Sequence, residues 1–440
     1  LLRVVLRGER NLLSLLPASA YRMRIGRLGW SRRGILLVND PALVAEILRD
    51  PAQIFPKNDL MVGALEGLVG SSMFVSGGEL WKRQRRMIDP AFSHMRIDRA
   101  FAPMQEAVED HLLLLGDAAR HDEPVSLDKL LSRLTADIVC RAIFSTSLAT
   151  ATARSVFDDF LIFERSCASV DVGALIFGRP WARINQPAAV AAACLRIRAH
   201  IGELLDSRTG AADDIAQAIV QARDPHTGEG FSREELIDQL GVFFLAGHET
   251  TASALTWAFF ILAMHPASLV RLRAEVAQVR ASASPGGPLT LAQARQLVYT
   301  RNVFREALRL YPPITFLPRV ALRDTRIEDF PIRRGTMIMI APWSLHRHAD
   351  LWEHPDVFDP DRFVGERDRA HAAGAYIPFG LGPRVCVGAA FASLEATLIL
   401  ARLCEQFDFV PTDPAAVRPA ARLTTRPEQE ITVRLRSCAA

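Results

Sequence analysis

Across residues 79–280 apolar positions recur at three- and four-residue spacing, which predicts an almost unbroken succession of helices. The clearest begins at Ser232, where "SREE" forms a capping box in which Ser232 and Glu235 can each bond the other's backbone N–H. It runs to about His265, before Pro266, a length of roughly 50 Å. Its middle, "LGVFFLAGHETTASALTWAFFILA", is apolar nearly all round and predicts a helix buried at the centre of the molecule. Upstream, "YRMRIG" and "GILLVND" read as short strands, and Asp40-Pro41 opens a helix, "PALVAEILRD". Downstream, helices are expected near 266–280 and 291–310, with "SASPGGPLT" (282–290) as the loop between them. A strand "TMIMIAP", a Pro/Asp-rich meander from about 350 to 378, a last helix after Cys386 and a C-terminal strand "EQEITVRLRS" complete the pattern. With no repeat and no long linker, residues 1–440 read as a single large domain, mainly α with small peripheral β-sheets.

Composition narrows the function classes. Nearly half of the residues are hydrophobic and 23% are charged, which describes a globular chain with a sizeable core. Net charge is +3, and only Lys57, Lys82 and Lys129 among the 52 cations are lysine. The 49 acidic residues are spread through the chain, which argues against the basic face of a nucleic-acid binder. Six scattered cysteines (140, 167, 194, 386, 404 and 438) contain no CxxC pair. That pattern opposes a disulfide framework or structural zinc and points to a reducing, cytoplasmic setting. Apolar runs such as "GVFFLAG" fall short of the roughly 20 residues that span a bilayer, so no membrane anchor is expected. The chain opens on leucine, which leaves room for further N-terminal sequence.

One stretch concentrates chemistry: "YIPFGLGPRVCVGAAFA", residues 376–392. Cys386 stands just before an alanine-rich helical segment, so the positive end of a helix dipole faces a thiol able to ligate iron as thiolate. Gly380 and Gly382 permit a tight turn whose amides could donate to the sulfur, and Gly388 lets a flat ligand approach closely. Arg384 could pair with a carboxylate of that ligand, and Phe379 could shield the sulfur. A lone cysteine is more often an inert core residue; these neighbours change that balance.

The segment "FGLGPRVCVG" resembles the haem-binding signature of the cytochrome P450 superfamily, Phe-Gly-x-Gly-x-Arg-x-Cys-x-Gly, at every fixed position. The resemblance implies a haem b cofactor with Cys386 as its proximal ligand, whose thiolate favours O–O cleavage. Three further stretches match in the family's order. "AGHETT" (246–251) resembles the oxygen-activation segment, implying that Thr250 contacts dioxygen and Glu249 helps relay protons. In residue terms, Gly247 costs a buried helix about 1 kcal/mol, and the missing side chain leaves room for a ligand, while an isolated Thr-Glu pair more often bonds its own helix. "HETTA" lacks the second histidine of a zinc-protease motif. "REALR" with "FDPDRF" resembles the ExxR helix and meander arginine, implying a buried Glu306–Arg309–Arg362 network; aspartate stands before Arg362 where many relatives have glutamate. "LWKRQRRM" places Trp81 and Arg85 on one helix face, which the resemblance turns toward a haem propionate. Arg319 in "LPRVAL" falls where a further propionate-binding arginine is expected.

The implied activity is a monooxygenase that inserts one atom of O2 into a small molecule. No flavin or ferredoxin domain is fused, so a separate ferredoxin, or alternatively a flavodoxin-type donor, with its reductase is expected. Lys82, Arg83 and Arg86 form a basic cluster that could dock it, or a solvated helix face. Pocket candidates Met61, Leu65, Leu68, Phe243, Ala246, Ile314, Phe316 and Leu317 are all apolar, which favours a largely hydrophobic substrate, though each alone fits ordinary core packing. A ligand sensor without turnover, or a peroxide-driven or isomerising enzyme, is the other class; the retained Glu249 and Thr250 count against both. A monomer is expected.

Overall fold

The computed structural model describes residues 11–28, 34–50, 53–57, 65–166, 187–208, 213–281, 288–371 and 374–438. The long helix is there. It spans Arg233–Met264, with Ser232 as N-cap and both halves of the capping box made: Glu235 N–H donates to Ser232 Oγ at 3.2 Å, and Ser232 N–H to Glu235 Oε2 at 2.8 Å.

In chain order the helices are α1 (Pro41–Arg49), α2 (Gly78–Ile88), α3 (His94–Arg120), α4 (Leu127–Phe144), α5 (Ala151–Ser166), α6 (Ala188–Asp206), α7 (Ile215–Gln221) and α8 (Arg233–Met264). They continue with α9 (Pro266–Arg280), α10 (Leu291–Gln296), α11 (Val298–Leu310), α12 (Pro342–Leu345), α13 (Gly365–Ala370) and α14 (Ala389–Gln406). Asp40 caps α1 by accepting from Ala42 and Leu43 N–H. The expected 291–310 helix is two helices that break at Leu297. The reason is tertiary: the Glu275 carboxylate of α9 accepts the N–H groups of Tyr299 and Thr300 at 2.6 and 2.8 Å, capping the first turn of α11.

The sheets are small. Strands β1 (Ile25–Leu28), β2 (Ile35–Val38), β7 (Met337–Ile340) and β4 (Leu317–Val320) form one sheet in the order β1-β2-β7-β4, with β2 and β7 parallel. The first strand begins at Ile25, because a 3-10 turn occupies Ala18–Tyr21. β3 (Val125–Ser126), β11 (Thr432–Ser437) and β8 (Phe407–Pro411) form a second sheet; β5 (Thr325–Ile327) pairs with β6 (Phe330–Ile332), and β9 (Pro419–Ala421) with β10 (Thr425–Pro427).

α8 runs through the principal core and packs against α4, α6, α11 and α14. Its apolar circumference has neighbours on every side, as a helix without a polar face requires. Two smaller cores lie on opposite faces of the β1-β2-β7-β4 sheet, one with Leu36, Val38, Ile338 and Ile340 and the other with Ile35, Leu37, Met337 and Met339. Between that sheet, the middle of α8 and the turn leading into α14 lies a cavity.

Candidate active site

Cys386 faces this cavity. Its residue surface is exposed there although protein encloses it on the other sides. The turn before it is set by backbone: Gly380 and Gly382 both adopt φ +76°, and a Cβ on Gly382 would lie 2.5 Å from the Leu48 carbonyl oxygen. Cys386 N–H donates to Phe379 O at 2.9 Å, fixing the sulfur's origin. Two of the turn amides are spent on carbonyls, Gly380 on Ile377 and Val385 on Gly382. The amide of Gly388, at the start of α14, is also set against the sulfur. Burial pushes the thiol up, while the Gly388 N–H and Arg85 oppose the shift. A thiolate there calls for a cation against the sulfur.

Four cations line the same cavity: Lys57, Arg85, Arg319 and Arg384. No aspartate or glutamate lines it among the described residues. Arg384 stacks on Trp81 at 4.3 Å and donates to Ser76 O, yet its Nη1 is buried without a partner. Burial, with Arg319 and Arg85 nearby, depresses Arg384 to about 10. Burial likewise lowers Arg319 to about 10 and, with the charges of Arg384 and Arg319, Lys57 to about 7. Lys57 lies over the Phe74 ring and donates to the Phe74 carbonyl. Arg85 pairs with Asp89 at 2.6 Å and donates to Val385 O at 2.8 Å. Buried cations without carboxylates are costly. A flat, iron-bearing, doubly anionic group fits this donor set: one thiol, a row of cations and glycine at the point of closest approach. Phe379 and Gly388 line the cavity beside the thiol.

α8 turns Phe243, Ala246, Gly247, Thr250, Thr251 and Ala254 to the cavity. The Thr250 hydroxyl donates to Ala246 O at 2.7 Å, leaving its lone pairs for other donors. Glu249 points elsewhere. Its carboxylate accepts from Arg426 Nε at 2.8 Å and Thr424 Oγ1 at 2.6 Å, with a further contact to Arg426 Nη2. Burial works against its charge, but Arg426 outweighs it and holds the carboxyl below the ordinary range. Gly247 lines the cavity, and packing adds a second constraint there: a Cβ would meet Val139 Cγ2 of α4 at 2.8 Å.

Glu306, Arg309 and Arg362 come together in the interior, with side chains 0%, 0% and 3% exposed. Arg309 clamps Glu306 through two bonds of 2.8 Å, and Arg362 Nε donates to the same carboxylate at 3.1 Å. The remaining guanidinium hydrogens go to the carbonyls of His346, Pro355, Val357, Glu353 and His354.

Several expected positions lie elsewhere. Leu65 and Leu68 are in the helical core, where Arg198 donates to the Leu68 carbonyl, and do not line the cavity. Phe316 packs with Leu15, Leu37 and Met339 on the far side of its extended segment, while Ile314 and Leu317 face the cavity. Met61 lies outside the described residues. The basic cluster is neutralised. Lys82 pairs with Glu79 one turn back on α2 at 2.7 Å; Arg83 pairs with Glu235 at 2.6 Å and Arg86 with Asp224 at 3.4 Å, because α2 lies against the start of α8 and the loop before it. Lys57, Arg426 and Thr424 were missed. Only Lys57 carried a signal, as one of three lysines in an arginine-rich chain.

Comparison with known proteins agrees with this geometry. Residues 22–433 match the sequence model described as Cytochrome P450. Cyclooctatin synthase of Streptomyces melanosporofaciens is 31% identical over 424 residues, covering 95% of this chain and 89% of that one. Cyclooctat-9-en-7-ol 5-monooxygenase of the same organism is 32% identical over 418 residues, covering 92% and 86%. The crystal structure of the cytochrome P450DA heme domain superposes with a TM-score of 0.80 at 25% identity, covering 94% of this chain and 90% of that one.

Proposed function

The chain belongs to the cytochrome P450 family, and on that premise we propose that it oxygenates a largely hydrophobic cyclic small molecule, a hydrocarbon skeleton bearing at most hydroxyl groups. As a family member it is a haem-dependent monooxygenase that uses O2. The observation that carries the substrate reading is the cavity wall. What α8 and the Met73–Val75 and Pro313–Leu317 segments contribute is apolar apart from the hydroxyls of Thr250 and Thr251. A substrate carboxylate would have to compete for the cations that suit the cofactor. The two relatives named for cyclooctatin and a cyclooctatenol favour the cyclic class.

The cofactor is haem b in this reading, since Cys386 is the one cysteine lining the cavity among the described residues and no CxxC attachment pair exists. Cys386 would hold the iron, with Lys57, Arg319 and Arg384 at the carboxylates and Trp81 and Arg85 beside them. When bound, haem supplies the iron centre at which dioxygen is activated. The chain's own residues do the rest. The apolar wall excludes water and positions the substrate. Thr250 presents a hydroxyl whose own proton is held by Ala246, and Glu249 serves as the acid of proton delivery once it is released from Arg426. Electrons come from a ferredoxin or flavodoxin-type donor in this reading.

An absorption spectrum of the reduced protein under carbon monoxide tests the ligand. The strongly red-shifted band of a thiolate-ligated haem is expected, and its retention in Cys386→Ser would overturn the assignment. Titration with cyclic terpenoid alcohols against fatty acids of equal size tests the substrate class. A spin-state shift confined to the fatty acids would refute it.

A further inference from the structure

Two groups beside Glu249 have no part in the scheme above. His248 is fully buried within a ring of Phe157, Phe160 and Phe244, whose centroids lie 6.1, 5.7 and 5.0 Å from its own. Its Nδ1 is 2.7 Å from the Phe244 carbonyl oxygen. A carbonyl only accepts, so Nδ1 carries a hydrogen. Nε2 lies 2.9 Å from Glu164 Oε1, near the end of α5. That contact therefore contains one proton, shared between an imidazole and a carboxyl.

One ligand-type atom from each of Glu164, His248 and Glu249 lies within 4.8 Å of the other two. A metal ion does not suit the place, because Arg426 already brings positive charge onto Glu249. The remaining polar neighbours are Asp128, 3.8 Å from Arg426, Ser132, which accepts from Arg426, Thr424, and Thr135, which donates to the His248 carbonyl. Glu249 and Arg426 cancel in charge, and so does Glu164 with His248 at one shared proton.

An arginine-paired carboxylate cannot give a proton before it has received one. Arg426 cannot supply it, since guanidinium stays protonated in proteins. Thr424 donates its hydroxyl to Glu249 but is no acid. The mobile proton within reach is the one between Glu164 and His248. Burial and the charge of Glu249 raise the Glu164 carboxyl, while His248, against its burial, is raised by Glu164 and Glu249, so both partners compete for this proton. Glu164 also keeps 11% of its side chain exposed, against 0% for His248.

We propose that Glu164 is the proton donor to Glu249, with His248 as the positioning residue that holds the transferable proton on it. The proton leaves Glu164 with its O–H bond breaking as an O–H bond forms on Glu249, through one bridging water across a gap of up to 4.8 Å, and the imidazole is neutral once the proton has left the pair. Solvent then replaces the proton on Glu164; no electron moves. Protonated Glu249 loses the ionic hold of Arg426 and can turn toward Thr250. This rests on the reading of Glu249 and Thr250 as the proton-delivery pair.

The test uses the holoprotein with a surrogate ferredoxin, its reductase and any ligand that shifts the spin state. Glu164→Gln keeps the shape and a hydrogen bond to His248 but has no proton to transfer. In resting protein, E164Q should lack one of the infrared C=O bands of buried protonated carboxyls that wild type shows, the band of Glu395 remaining in both. During turnover, E164Q should release several-fold more peroxide per NADPH and lose the solvent isotope effect, with an unchanged melting temperature. Thr250→Ala, run alongside, tests the underlying reading. If T250A uncouples while E164Q matches wild type, Glu164 only ties α5 to α8 and the proposal falls. If neither uncouples, the proton-delivery reading falls and takes the proposal with it. Should E164Q load less haem, Glu164→Asp decides: partial recovery of coupling supports transfer, and coupling no better than in E164Q overturns it.

Discussion

The Cβ that Gly247 lacks would sit 2.8 Å from Cγ2 of Val139, so α8 and α4 pack at this pair with no room for a side chain at 247. Val139 is fully buried, and a β-branched side chain in a helix has little rotamer freedom to yield. Alanine at 247 gains about 1 kcal/mol of helix propensity. Overpacking costs about 1–3 kcal/mol, so Gly247→Ala should be net destabilising. Urea unfolding should show the loss, and Gly247→Ala with Val139→Ala should recover part of it. A gain in stability for the single variant would assign the glycine to ligand clearance after all.

Replacing Glu306 by glutamine should be costly. Two arginines would remain in the interior facing carbonyls alone, and removing one partner of a buried ion pair costs about 3–5 kcal/mol. Arg309→Lys loses the planar fork that reaches Glu306 and three carbonyls at once. Both variants should melt earlier and purify with less haem. Thermal scans with the haem-to-protein absorbance ratio measure this.

Lys57→Met separates cofactor binding from folding. Lys57 is a buried ammonium whose protein partner is the Phe74 carbonyl. Without haem, methionine should fold as stably as wild type or better, because an uncompensated buried charge is gone. With haem, the variant should release the cofactor faster, read as transfer to apomyoglobin.

His346 sets an acid limit. Its Nε2 accepts the Ile377 N–H at 2.9 Å, and burial, helped by Arg309 and Arg347, lowers it to about 3 from 6.5. Between these values the unfolded chain binds a proton that the folded chain refuses. Stability from this group is thus complete above 6.5 and is lost as pH falls toward 3. The loss from pH 7 to pH 5 should be about 2 kcal/mol. His346→Gln should lack that slope in urea unfolding at the two pH values.

Charge reversal on α2 should divide by position. Lys82 is the more exposed of the three, so Lys82→Glu should leave melting unchanged and slow reduction by an acidic ferredoxin at low salt if that face docks it. Arg83→Glu faces Glu235 of the capping box at the start of α8 and should lower the melting temperature at any salt.

Local signals carried far in this chain. Ser232 and Glu235 announced the start of α8, Asp40 capped α1, and the Gly-rich turn singled out Cys386, because each depends on residues within a turn of one another. Side-chain direction was less legible. Phe316 and Leu317 are equally apolar, and only pairing with β7 decides which faces the cavity. The 291–310 segment carries a helical pattern throughout, and its break depends on a carboxylate from α9.

The sequence alone determined that a thiol would stand at a helix start beside a glycine turn, and that an apolar helix carrying Glu249 and Thr250 would cross the centre. Covalent proximity and helical periodicity suffice for both. Tertiary structure alone decided the charges. Lys57, Arg319 and Arg384 meet across more than 300 residues of chain, Arg426 returns from a C-terminal hairpin to hold Glu249, and Arg83 and Arg86 of α2 are paired with carboxylates from other elements. Electrostatic partnership depends on distance and burial, which no local pattern encodes.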